Sequence, residues 1–446
     1  MISMIRQQVR RFGTDLLIVI SLAGLAGLAS YEGQRLVGSF VFRDLRSFNM
    51  WFEGDCPFVF ANMVARTSSH DIRTVVHPLF PLAAYPPAYV LRKVAGLDGL
   101  QAVRVVMAVL AAAWLGALFV LLRLVGCRRL DATLFSLLAA TSAMAVFWFT
   151  VPETFSFGSL TILLGLSTIA LAEYRNLSWW WFLGASALTL SMTKTNWMVG
   201  LFGTFAHYPW KRAFQITVNA LCLVVGLWGL EKLIFPSAGF FIGSEGDEAG
   251  YLLLPRSGGP LRIFLSFVFH SIIMPAIRVV VKPEKQPWET MSTQMSWPGS
   301  GSLWGAAGMG IWTILLGLGL WALVGTKRHS RFGTVLALTL LGQLGLHILY
   351  GDETFLYALH FGPLLVVLAA LSTLTRARFL ALVLAGALTL VAGVNNASQF
   401  RQALEFVRSH TPPEPGAPIH MSLPPAVPRL GLQSPFAAEL FRMSLP

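Results

Sequence analysis

The stretch QAVRVVMAVLAAAWLGALFVLLRL, residues 101–124, decides the fold class. Between Arg104 and Arg123 it carries no charge, and a bilayer crossing needs roughly 20 such apolar residues. Comparable segments lie near 14–30, 132–150, 155–172, 178–193, 196–210, 215–231, 302–325, 332–350, 357–374 and 379–395, which makes eleven expected spans. Of the 446 residues, 55% are hydrophobic and 12% charged, about half the charged share of a soluble domain. The expectation is an all-α polytopic membrane protein, not a soluble enzyme with an anchor.

Two apolar stretches fit this pattern poorly. Residues 77–91 carry Pro78, Pro81, Pro86 and Pro87, which remove backbone donors and kink helices. Residues 262–281 contain His270, Pro275 and Arg278. Charge decides how to treat them. With both kept from crossing and the N-terminus inside, Arg6, Arg10, Arg11, Arg128/Arg129, Arg175, Lys211/Arg212, Lys327/Arg328/Arg331 and Arg376/Arg378 all become cytoplasmic, as the positive-inside rule requires. Arg92 and Lys93 pull the other way. The two stretches then become outer-face interfacial or re-entrant helices. The same rule accounts for the net charge of +12, so no nucleic-acid partner is expected. The basic N-terminus reads as the start of an uncleaved first span.

This threading gives a membrane domain over 1–395 with outer loops at about 31–100 and 232–300, then a Pro-rich outer tail over 396–446 with a short helix near 436–443. It sends the chemistry-bearing residues to the outer face. Cys56, Cys127 and Cys222 form neither a disulfide framework nor a CxxC metal motif. There is no convincing internal repeat of the kind inverted-repeat transporters carry.

The densest polar cluster follows the first span: Trp51-Phe-Glu53-Gly-Asp55-Cys-Pro57, then Ser69-His70-Asp71-Ile-Arg73-Thr-Val-Val-His77-Pro78. Glu53 and Asp55 suit a general base or a hard divalent cation. His70, Arg73 and His77 suit a phosphate, with the guanidinium offering a bidentate fork. The alternative is a solvated loop whose charges pair with each other.

A second cluster, Gly351-Asp-Glu353-Thr-Phe-Leu-Tyr357-Ala-Leu-His360, opens a later span. In a continuous helix Glu353, Tyr357 and His360 share one face, which should look inward. Asp352 reads as a helix N-terminal acid set against the macrodipole. Glu153 either joins the cleft or caps the next helix. Lys194 either holds a phosphate or snorkels to headgroups. His347 reads as a hydrogen-bonded core residue, His207 and Trp179–Trp181 as interfacial anchors, and Glu245, Asp247 and Glu248 as solvated. The 262–281 helix grips a lipid chain or covers the cleft, with Arg262 and Arg278 on anionic lipid.

The first span, the outer-loop Glu53-Gly54-Asp55, the His77-Pro78-Leu79-Phe80 element, the Gly96…Arg104 segment leading to Arg128-Arg129, Glu153, and Glu353…His360 together resemble the GT-C glycosyltransferases. These are membrane enzymes of the protein O-mannosyltransferase and aminoarabinose-transferase type. The likeness covers about the first 200 residues; the remainder matches in architecture. It implies a bundle of about 11 transmembrane helices and a polyprenyl-phosphate-linked sugar donor. The sugar would pass, with inversion, to an acceptor glycan, lipid or protein at the periplasmic face of a bacterial inner membrane. The catalytic carboxylate maps onto Asp55, with Glu53 as a substitute, and the phosphate-binding residues onto Arg73 and His77, with His70 and Lys194 nearby. Glu153, Glu353, Tyr357 and His360 would line the substrate cleft. This chain departs from the pattern in having Glu-Gly-Asp where adjacent acids are usual, and it shows no sizeable C-terminal domain. A divalent metal, Mg or Mn, stays open. The rivals from other classes are a flippase or transporter of lipid-linked saccharide and a non-catalytic glycolipid-binding scaffold.

Overall fold

The computed structural model describes residues 2–67, 74–243, 252–282, 286–325 and 330–412, with the backbone alone at 2–12, 282 and 286–288. In chain order the helices are α1 (Ile2–Val37), α2 (Phe40–Arg43), α3 (Cys56–Val64), α4 (Phe80–Val94), α5 (Gly99–Val125), α6 (Arg129–Thr141), α7 (Ala143–Trp148) and α8 (Thr154–Ala172). They continue with α9 (Trp179–Met192), α10 (Trp197–His207), α11 (Trp210–Ile234) and α12 (Gly259–Leu265), and close with α13 (Leu303–Gly325), α14 (Ser330–Leu349), α15 (Ala358–Ala370) and α16 (Arg378–His410). A hairpin of β1 (Arg278–Lys282) and β2 (Gln286–Ser292) stands between α12 and α13. Among the described residues, eight helices are long and apolar enough to cross a membrane. The fold is that of a helical, multi-pass membrane protein.

Local chemistry sets the helix ends. Asp98 and Gln101 form a capping box at the start of α5, and Gly126 ends it at φ 106°, a left-handed conformation that glycine adopts without a Cβ penalty. The expected span at 132–150 is broken at Ser142 into α6 and α7, and those at 178–193 and 196–210 are the short helices α9 and α10. The stretch at 77–91 forms α4, 15 residues long with Pro86 and Pro87 inside it.

Two expectations are corrected. Residues 262–281 are not one helix: α12 passes into a wide turn over Ser266–His270, and the chain becomes a strand at Arg278. Pro275 lacks the N–H that a helix interior needs, and the β-branched Val279–Val281 run favours a strand. The last helix does not stop at 395 but runs on to His410. Phe400, Ala403, Leu404 and Val407 keep the i, i+3, i+4, i+7 spacing and are buried. The Pro-rich segment beyond 412, including the helix expected near 436–443, lies outside the described residues.

Acidic side chains near the basic loops accept from arginines or from the backbone. Asp15 accepts from Arg129 at 2.6 Å, Arg378 pairs with Asp131 at 2.6 Å, and Glu173 accepts from the backbone N–H of Phe332 at 2.9 Å. A buried polar knot serves the break at Ser142. The backbone N–H groups of Ala143 and Met144 donate to the carbonyls of Ile272 and Ser271. The Asn396 amide donates to the carbonyls of Thr141 and Ile272, both at 2.8 Å, and its oxygen accepts from Met274 N–H at 2.8 Å. Non-helical backbone away from water needs such partners.

Candidate functional site

The loop after α2 is built to hold Asp55 still. Asn49, Phe52 and Glu53 all have positive φ, at 60°, 49° and 63°, a strained choice for non-glycine residues. Burial holds it there. Trp51 and Phe52 are fully covered, the Trp51 indole donates to the Phe147 carbonyl at 3.2 Å, and the Phe52 ring packs edge-on against Phe147, Trp148 and Phe355. β2 pins the loop from the side, because Met291 N–H donates to the Met50 carbonyl at 3.1 Å and the Thr290 hydroxyl to that of Asn49.

Asp55 sits at the N-terminus of α3, and its backbone N–H donates to Glu153 Oε1 at 2.9 Å. The other Glu153 oxygen accepts from Thr154 N–H at 2.8 Å. Glu153 is thus a cap for α8 and a support for Asp55, and it lines neither of the cavities described next. Beside them, burial pushes the Cys56 thiol well above its ordinary pKa, and the Glu153 and Asp55 carboxylates push it further, so it is no nucleophile at neutral pH.

The Asp55 side chain lines a narrow crevice with Asn62, Thr74, His77 and Thr154. His77 also lines a larger cavity of about 420 Å³. Its Nδ1 lies 2.9 Å from the Met192 carbonyl and its Nε2 3.2 Å from Thr154 Oγ1. A carbonyl only accepts, so this geometry fits the tautomer protonated at Nδ1. Both ring nitrogens are committed to the protein, which makes His77 a fixed wall.

Lys194 comes to the larger cavity because the 76–79 and 191–194 segments are joined: Lys194 N–H donates to the Val76 carbonyl at 3.1 Å, and Leu79 N–H to that of Ser191 at 2.8 Å. Phe155, Tyr357 and His360 also line it, as do Gln343 and His347 of α14 and Tyr350 just beyond that helix, and the His347 and Tyr357 rings lie 5.0 Å apart between centroids. His77, Lys194, Tyr357 and His360, which the sequence singles out in three separate stretches, therefore meet at one cavity.

Glu353 is not on the face that Tyr357 and His360 share. The helix has not begun there: Glu353 is extended at φ −127°, ψ 96°, and regular α-helix starts at Ala358. Its buried carboxylate accepts from Ser292 Oγ at 2.6 Å, Thr293 Oγ1 at 2.8 Å, Thr293 N–H at 3.1 Å and Gln294 N–H at 3.3 Å. It latches the hairpin to the bundle and does not line the cleft. Asp352 does not act as the helix N-terminal acid: it pairs with Arg256 at 2.6 Å, and the Thr354 N–H goes to Gln294 Oε1 instead. His70 and Arg73 lie outside the described residues.

His347 is corrected as well. It stands on the cavity wall, and its Nε2 is buried with no hydrogen-bond partner among the described residues. Gln343, one turn earlier on α14, is not among the expected cleft residues, although the i, i+4 pair Gln343 and His347 is a polar stripe in an apolar helix. Gln343 donates to Asn196 Oδ1 at 3.3 Å. Among the described residues no cluster of three or more His, Cys, Asp or Glu could hold a metal ion.

No family model matches this chain, and no curated protein is significantly similar to it.

Proposed function

We propose that this protein is an inverting glycosyltransferase of the GT-C kind, which moves a monosaccharide from a polyprenyl-phosphate donor to an acceptor hydroxyl. The observation that carries this reading is the shared wall. His77 lines both the Asp55 crevice and a 420 Å³ cavity that Lys194 also lines, so one histidine borders a space with a carboxylate and a space with a cation. An in-line displacement needs the base and the cation on opposite faces of one sugar, so in this reading the donor sugar reaches past His77 and joins the two spaces. Asp55 takes the proton from the acceptor hydroxyl, the resulting oxygen bonds to the anomeric carbon, and the carbon–oxygen bond to phosphate breaks with its electron pair leaving on phosphate. Lys194 meets the charge that develops there. Glu153 acts by holding Asp55.

In this reading α6 with α7, α9 and α10 complete eleven crossings beside the eight long helices, and the site faces the periplasm of a bacterial inner membrane. At about 1.5 Å per residue α9 and α10 fall short of a full bilayer, so their connecting segments must supply the remaining depth. The acceptor is a glycan, lipid or protein hydroxyl.

The test is turnover by purified protein in nanodiscs. A panel of polyprenyl-phosphate sugars is offered with crude envelope extract as acceptor source, wild type beside Asp55→Asn. Donor consumption that vanishes in the variant supports the reading. Equal consumption by both proteins, or none by wild type with any donor, rejects it.

A further inference from the structure

Four polar atoms on or beside the large cavity are buried with no hydrogen-bond partner among the described residues: His360 Nε2, His347 Nε2, Gln343 Oε1 and Asn196 Nδ2. Leaving such a group unsatisfied costs about 1–3 kcal/mol, so four in one neighbourhood are not incidental. They belong to one connected patch. His360, His347 and Gln343 line the cavity, and Gln343 bonds to Asn196. Asn196 Nδ2 and His360 Nε2 converge on Gly158, since a Cβ built there meets them at 2.8 and 2.7 Å.

The patch holds imidazoles and carboxamides, that is, donors and acceptors without fixed charge. Phe155 adds an apolar ring face, packed edge-on against both Tyr357 and His360 at 5.0 and 5.2 Å between centroids. Lys194 is the one Lys or Arg, and no carboxylate is present, among the described residues that line the cavity. The volume of about 420 Å³ falls within the roughly 300–1,000 Å³ of small-molecule sites.

Resting on the glycosyltransferase reading, we infer that this wall is the donor-sugar subsite and that it selects an uncharged, hydroxyl-rich ring over an amino sugar or a uronic acid. Hydroxyls both donate and accept, so they satisfy an imidazole nitrogen of His347 and the amide oxygen of Gln343 together. Among the described residues that line the cavity, an ammonium group finds no carboxylate, and a carboxylate finds no cation apart from the Lys194 that meets phosphate.

Equilibrium binding in nanodiscs tests this without requiring transfer. The probes are short-chain polyprenyl phosphate, bare or carrying a neutral hexose, an amino sugar or a uronic acid. The neutral-sugar donor is expected to bind wild type about tenfold tighter than the bare phosphate, the return of two recovered hydrogen bonds. Gln343→Ala and His347→Ala are each expected to erase most of that margin and leave bare-phosphate affinity unchanged. Equal affinity for bare and glycosylated phosphate, or tightest binding of a charged sugar, overturns the inference, and the wild-type comparison decides alone if a variant fails to fold. Turnover separates the two claims. Transfer of a charged sugar sinks the subsite and keeps the enzyme, whereas selective neutral-sugar binding without transfer sinks the enzyme and keeps the subsite.

Discussion

Glu153 Oε1 accepts the backbone N–H of Asp55 at 2.9 Å, a bond between residues 98 apart in sequence. The same carboxylate caps α8, so one buried side chain ties the candidate base to the first turn of a core helix. Glu153→Ala therefore releases the loop at Asp55. The expected result is a fall in kcat of about a hundredfold with KM little changed, because a misplaced base costs more in the transition state than in binding. Glu153→Gln keeps one acceptor oxygen and should recover part of the loss. Steady-state kinetics of the two variants side by side check this, and identical behaviour of Ala and Gln would count against a positioning role.

Gly158 has no room for a methyl group, since the added carbon lies 2.7 Å from His360 Nε2 and 2.8 Å from Asn196 Nδ2. Gly158→Ala should displace both side chains and weaken donor affinity about tenfold, at a stability cost of about 1–3 kcal/mol for overpacking. Donor binding and thermal melting in one detergent give the two numbers. Unchanged donor affinity in a folded variant would contradict the expectation.

Asn396 serves three backbone groups at once, the carbonyls of Thr141 and Ile272 and the N–H of Met274. Asn396→Leu leaves all three without that partner in a dry environment, and a loss of about 2–4 kcal/mol is expected. It should appear as a lowered midpoint in thermal aggregation. A midpoint within a degree of wild type would show that water replaces the amide there.

Burial, reinforced by the charge of Arg262, pulls the His270 pKa from 6.5 down to about 3. The unfolded chain then binds the proton first, so stability is full above pH 6.5 and is lost as pH falls from 6.5 toward 3. Replacing the ring with a neutral one, His270→Phe, should flatten this acid limb. Midpoints measured at pH 7, 5.5 and 4 for both proteins check it, and parallel curves would assign the acid limb to other groups.

Membrane character was legible in the sequence because it is local. Each long helix announces itself as an apolar run, and no distant partner is needed to read it. Residues 77 and 194, and 357 with 360, were also legible as polar groups at helix ends, which are few in so apolar a chain. Roles were harder. Glu353 reads as a cleft residue only if the helix already includes it, and the four donors that claim its carboxylate come from residues 292–294, in and just after β2.

Sequence by itself determined that the chain is a helical, multi-pass membrane protein and which few polar residues stand out against its apolar background. Tertiary structure alone decided that Glu153 and Glu353 are braces, that Gln343 and His347 reach the cavity wall, and that Asn396 mends a broken helix. The division has one physical cause. Hydrophobic burial is non-directional and is written in neighbouring residues, whereas a hydrogen bond is short, directional and indifferent to the distance along the chain between its partners.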